Sequence, residues 1–255
     1  MKFFDDTRKM TPALDWLKKY EPFYFLGGPV SPRTNRRNQS SRFVEGKVCA
    51  LLEQPILLSK QDLILLMAWK MGLIDHGSSE AQRKIIYKQN FDLALINRGR
   101  FGILDFSKSI PYLADKMPEI AQSLAKEPKY LLDRVCGPHP ELQGFGVTYI
   151  LTAQFFITHG RDPIYDKFAH MGAIAINQGL QPGDSIRWAP AQNWTEYQHY
   201  VDLLKPISAS CAQSTSGLPM TVPRSADRAL WVYGHFFKET KVVRKVPPFS
   251  VKVAP

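Results

Sequence analysis

An all-α fold is what this sequence predicts, on three observations. Apolar residues recur with a helical period through most of the chain. Residues that start and stop helices bracket those stretches. No internal repeat, heptad array or sustained strand alternation competes with that pattern. About ten helices joined by short connections is the architecture these signals support.

The first helix is predicted at 41–52. A second opens at Ser59-Lys60-Gln61-Asp62, where a hydroxyl cap is followed three positions on by a carboxylate, and it continues into Leu63-Ile64-Leu65-Leu66-Met67-Ala68-Trp69. A third spans 81–98. Residues 110–125 hold one or two more, interrupted by Pro118. At 128–135 Pro128 opens a short helix and Gly137-Pro138 stops it. Helices follow at 147–159 and 167–176, and the Gly- and Pro-rich segment 178–193 is the clearest loop. After it come an amphipathic helix at 194–204, a polar connection at 208–224, and a last helix over 225–234. From 241 the tail is basic, extended and partly β-prone.

Composition narrows the partners. The chain of 255 residues is 44% hydrophobic, enough for a core, and reads as a single unit over 1–255. Against 23 acidic residues stand 33 Lys and Arg, a formal charge of +10, which favours a polyanion because each neutralised phosphate releases condensed counterions. Arg33, Arg36, Arg37, Arg42 and Lys47 concentrate that charge near the amino end, and Lys238, Lys241, Arg244, Lys245 and Lys252 near the other. Three scattered cysteines, Cys49, Cys136 and Cys211, support neither a disulfide framework nor a cysteine-rich metal site and fit a reducing cytosol. The first residues turn acidic at Asp5-Asp6, unlike a secretory signal, and the charge-free stretch 142–158 is short for a bilayer span. A cytoplasmic monomer without a membrane segment is therefore expected.

The chemistry concentrates in Leu142-Gln143-Gly144-Phe145-Gly146-Val147-Thr148-Tyr149-Ile150-Leu151 and, further on, Asp162-Pro163-Ile164-Tyr165-Asp166. Two glycines around one apolar residue allow a tight turn that exposes backbone N–H groups, and a helix starting immediately behind adds its positive end. Such a turn grips phosphate. Taken alone, it is also an ordinary connection between helices, and Asp166 taken alone is an ordinary helix cap.

These residues resemble the helix-hairpin-helix DNA glycosylase superfamily, whose hairpin reads Leu-Pro-Gly-Val-Gly and whose catalytic aspartate opens a later helix. In its endonuclease III branch a lysine lies two residues after the second glycine and the aspartate eighteen further on. Here Thr148 occupies the lysine position, and eighteen positions separate it from Asp166. The match covers roughly 142–175. The block Asp227-Arg228-Ala229-Leu230-Trp231-Val232-Tyr233-Gly234 is also similar to bacterial proteins of the 8-oxoguanine glycosylase fold.

The resemblance implies a two-lobed helical bundle, with helical parts 40–127 and 194–240 flanking a helix-hairpin-helix core at 128–177 and a basic tail at 241–255. It implies binding to double-stranded DNA through Gly144, Phe145, Gly146, Val147 and Thr148, helped by Lys167, Arg36 and Arg37. Asp166 then supports excision of a damaged or modified base flipped from the duplex, as a carboxylate beside the anomeric carbon stabilises an oxocarbenium-like transition state. Threonine cannot form a Schiff base, so a lysine reaction at position 148 is excluded and a monofunctional enzyme is expected.

No cofactor or metal is expected. Three cysteines cannot supply a four-cysteine iron–sulfur cluster, and His139, His159 and His170 lack metal-ligand spacing. The resemblance implies at most a monovalent cation on the hairpin carbonyls. For the base pocket and wedge Trp69, Trp188, Trp194, Trp231, Tyr149 and Phe168 are available, and the sequence does not choose among them. The competing function is a helix-hairpin-helix protein that binds DNA without catalysis; an RNA-directed relative matches the charge and nothing else.

Overall fold

A computed structural model describes residues 1–25, 58–59, 62–63, 66–67, 70, 109–136, 140–142, 146–212 and 222–241. The predicted helices at 41–52 and 81–98, the hairpin residues Gly144 and Phe145, Arg36, Arg37, Trp69, His139 and the tail beyond 241 lie outside the described residues.

The described chain is mostly helical: α1 (Ala13–Phe25), α2 (Ser109–Asp115), α3 (Met117–Lys126), α4 (Tyr130–Cys136), a 3-10 turn (Pro140–Leu142), α5 (Val147–Ile157), α6 (Lys167–Gln178), α7 (Trp194–Ala212) and α8 (Val222–Gly234). Among the described residues, no helix is long and apolar enough to cross a membrane. Asp62, Leu63, Leu66, Met67 and Lys70 are also helical. The cap expected there is in place, with Ser59 Oγ accepting from the Asp62 amide at 3.1 Å and donating to the Asp62 carboxylate. Pro118 interrupts 109–126 as expected, by sitting in the first turn of α3, where its missing N–H costs nothing.

Helix α1 is an addition to the sequence expectation. Its signal was hidden by an interior Pro22 and a start without a capping side chain, yet Trp16, Leu17, Tyr20 and Tyr24 form one buried face. Trp16 and Tyr20 pack on Tyr233 of α8 with ring centroids 5.5 and 5.1 Å apart. Helix α7 runs past its predicted end at 204 and through Pro206. An interior proline costs about 3 kcal/mol, but Leu204, Ile207 and Cys211 extend the buried stripe beyond it and offset that loss. Burial pushes the Cys211 thiol up to about 11, which leaves it unreactive.

The predicted loop 178–193 contains a strand, β1 (Ser185–Trp188), which pairs in parallel with β2 (Lys238–Lys241) in the register Ser185 to Lys238. Four residues with one buried apolar side chain, Ile186, carry too little alternation to be read as a strand.

Helix α8 is the centre of the described fold, with α6 against one part of its surface and α1 against another, while α7 touches all three. The approach of α6 to α8 depends on two glycines. A Cβ on Gly172 would lie 2.6 Å from the Leu230 carbonyl oxygen, and one on Gly234 would lie 1.9 Å from that of Phe168. Only a residue without a side chain admits backbones this close. Gly234 thus sets where the first turn of α6 rests, two residues after Asp166.

Candidate functional site

Asp166 is the N-cap of α6, with extended backbone (φ −138°, ψ 144°) and a carboxylate that accepts from the Phe168 amide at 2.9 Å. Gly179 closes the other end of α6 in the left-handed conformation at φ +67°, a position glycine adopts without strain. The segment leading into Asp166 is pinned from several sides. Gln154 donates to the Asp162 carboxylate at 3.0 Å, and the hydroxyls of Tyr197 and Tyr200 donate to the carbonyls of Pro163 and Ile164 at 2.7 and 3.1 Å. Ile164 and Tyr165 are buried.

Behind Asp166, His170 lies one turn into α6 and is buried. Its Nδ1 faces the Tyr165 hydroxyl at 3.0 Å and accepts from the Trp188 indole N–H at 3.2 Å. An indole only donates, so Nδ1 is unprotonated and a neutral His170 carries its proton on Nε2. The Tyr165 hydroxyl accepts in turn from the Ala191 amide at 2.7 Å. Burial, then the neighbouring His199, lower His170 to about 4, consistent with the neutral ring.

The second partner of Asp166 comes from far away in sequence. Lys70 Nζ lies 2.8 Å from Asp166 Oδ2, with the lysine side chain 11% and the aspartate side chain 21% exposed. Burial pushes the Asp166 carboxyl up, but the charge and hydrogen bond of Lys70, the Phe168 amide and nearby His235 outweigh it and hold the group below the usual carboxylate range. The result is an ionised carboxylate with a fifth of its side chain still reachable.

Three side chains surround it. Tyr149 from α5 is raised by burial and by the Asp166 charge. His235 stacks on Phe168 with centroids 3.6 Å apart and its Nδ1 donates to the Trp231 carbonyl at 2.7 Å. Lys167 leans over the Phe168 and Trp188 rings at 5.4 and 5.5 Å and pairs with Glu239 of β2 at 2.5 Å. Expected to meet a phosphate, Lys167 has an intramolecular carboxylate as its partner in the fold.

At the start of α5, Gly146 is the cap, makes no side-chain hydrogen bond and has an ordinary φ of −68°. Its backbone does not require glycine. Nor does its packing, since a Cβ there would meet nothing within 4 Å. Gly146 is exposed, while Val147 and Thr148 are half-buried in the first turn, and no acceptor among the described residues takes their amides. Among the described residues, the positive end of α5 carries no side-chain cap.

The pocket candidates are not singled out by the structure. Trp188, Trp194, Trp231, Tyr149 and Phe168 are half-buried and packed against the core. Trp188 stands on β1 with its indole on His170. A cavity of about 600 Å³ opens on the other side of the approach to Asp166, lined by Phe155, Arg161, Pro163, Ile164, Leu204 and Arg224 among others. Among the described residues, no group of His, Cys, Asp or Glu side chains is arranged to hold a metal ion.

Sequence reasoning missed Lys70. It is separated from Asp166 by 96 positions, and no local pattern marks one lysine as the partner of a distant cap. It also missed the service of the Asp227 to Gly234 block. Asp227 is ion-paired with Arg224, Arg228 with Glu21, Tyr233 enters the aromatic core, and Gly234 meets Phe168. Comparison with family models, with curated proteins and with solved structures found no match to this chain.

Proposed function

We propose that the protein is a monofunctional DNA base-excision glycosylase, a two-lobed helix-hairpin-helix bundle that hydrolyses the N-glycosidic bond of a damaged or modified base flipped from duplex DNA. The observation that carries this reading is the state of Asp166: ionised, anchored through the Phe168 amide and Lys70, and partly accessible at the start of α6. An ionised carboxylate in a low-dielectric setting stabilises positive charge developing on the sugar or orients the attacking water. The first-turn amides of α5, which no acceptor among the described residues takes, support a phosphate grip ahead of it, and the formal charge of +10 supports a polyanionic partner.

Water rather than an amine is the attacking group in this proposal. Thr148 carries no amine, and the Lys70 nitrogen, engaged as an ammonium with Asp166, has no lone pair to offer. Base release from a panel of lesion-containing and modified duplexes, comparing wild type with Asp166→Asn, tests the function. Release by wild type and loss in the variant is expected. DNA binding by both proteins with no base released from any duplex overturns the enzyme reading.

The second reading, a DNA-binding protein without catalysis, has one observation in its favour. Capping α6 and pairing with Lys70 already account for an aspartate at 166. The same assay separates the two.

A further inference from the structure

We propose that Lys70 is the positioning residue of the Asp166 site, its ammonium holding Oδ2 while the Phe168 amide holds Oδ1, so that the carboxylate meets its ligand in a single orientation. The inference deepens the glycosylase reading and rests on it for the reaction, while the ion pair itself can be tested without any substrate.

The placement of Lys70 is built into the core. Leu63, Leu66 and Met67 are fully buried, and Lys70, itself helical, follows Met67 by three positions and Leu66 by four, the spacings that share a helix face. A surface lysine on a flexible stem would sample many rotamers. This one emerges from the buried stripe with 11% of its side chain exposed, and its only long-range destination on the described residues is Asp166 Oδ2 at 2.8 Å. Two separate elements thus clamp the two oxygens, the helix carrying Lys70 and the first turn of α6. Each carboxylate oxygen has two lone pairs, so the described partners leave one on each oxygen for a water or a sugar.

Another cation near the site among the described residues is engaged elsewhere. Lys167, adjacent to Asp166 in sequence, is drawn to Glu239 on β2. Among the described residues, the remaining titratable groups facing Asp166 are Tyr149 from α5, Tyr200 from α7 and His235 after α8. Burial lowers His235, whose Nδ1 proton is committed to Trp231, so it is a poor substitute for a permanent cation. Without Lys70, only the Phe168 amide and His235 oppose burial at the carboxylate, and the balance moves toward its protonated form. A protonated Asp166 cannot stabilise a positive sugar.

Carboxyl ¹³C NMR titration of Asp166 in wild type, Lys70→Met and Lys70→Arg tests the ion pair, and the pH profile of base release tests its use. In wild type the Asp166 midpoint lies below the usual carboxylate range; a midpoint at or above that range overturns the proposal even if no variant folds. Lys70→Met raises the midpoint by about 1 to 3 pH units, and the acid limb of base release moves by the same amount. Lys70→Arg restores both toward wild type, since it returns the charge. An unchanged midpoint in Lys70→Met overturns the proposal, as does a borohydride-trapped adduct between Lys70 and an abasic duplex, which would make Lys70 a nucleophile. Absence of base release by the wild-type protein removes the glycosylase reading and leaves the ¹³C midpoints to decide the ion pair.

Discussion

The amino termini of α5 and α6 invite comparison, because the same physics is resolved in opposite ways. At α5 the cap is Gly146, with no side chain, empty space in front of it, and first-turn amides that no described acceptor takes. At α6 the cap is Asp166, whose carboxylate takes the Phe168 amide and a lysine ammonium. A helix start with open donors attracts an anion from outside. One that carries its own anion instead presents negative charge. An enzyme acting on a sugar beside a phosphate needs both, one to hold the backbone and one to meet the cationic transition state. The difference between the two helix starts rests on which side chain precedes each helix, and on what the tertiary structure brings to it.

The largest expected effect concerns the support behind α6. His170 is neutral in the fold with its acidity near 4, against about 6.5 when unfolded. The unfolded chain therefore takes up a proton that the folded chain refuses as pH falls through that window. Its contribution is complete above pH 6.5, declines between 6.5 and 4, and is gone below about 4, amounting to about 3 kcal/mol. Denaturant unfolding at several pH values measures this slope, and His170→Gln should flatten it relative to wild type. An unaltered slope would detach His170 from the α6 anchor.

Next comes Gly234→Ala, which forces a methyl group onto the Phe168 carbonyl and displaces the first turn of α6. A loss of about 2 to 3 kcal/mol in unfolding free energy is expected, as for overpacked backbone contacts. Because the displaced turn carries Asp166, base release should fall as well. Asp166→Asn keeps a good helix cap and removes the charge, so base release falls about 100-fold or more while duplex binding persists. An equal loss of binding would merge the two helix starts into one site.

The smallest effect is expected at α5. Gly146→Arg meets open space and an ordinary φ, so unfolding should change by less than about 0.5 kcal/mol. Duplex binding should weaken by about tenfold, equally across sequences, because backbone contacts carry no base information. Fluorescence anisotropy with several duplexes measures it. A loss confined to one sequence would assign Gly146 to base readout and end the comparison drawn above.

Much of the helical frame was legible. The Ser59 cap, the break at Pro118, the short helix after Pro128 and the starts of α5, α6 and α7 follow from local residues, because caps, prolines and glycines act within a turn of their own position. Misses occurred where local rules were outweighed. Pro22 and Pro206 lie inside helices whose buried faces override them, and β1 is too short to show a period. At the site, Asp166 as the start of α6 was readable, and so was the expectation that Trp188 is not fully buried. Lys167 shows the limit of adjacency: next to Asp166 in sequence, it binds Glu239, a residue on a strand that sequence did not reveal.

By itself, the sequence determined the mostly helical architecture, the cationic balance, and a carboxylate at the head of α6 behind a glycine-capped α5. These depend on residues acting within a few positions or on totals over the chain. Only the tertiary structure decided which cation meets that carboxylate, how closely α6 can approach α8, and that Gly146 has an ordinary backbone with open space around it. The physical reason is range. Capping and helical periodicity are encoded along the chain, whereas an ion pair across 96 positions and a contact between backbones exist only once packing has chosen the neighbours.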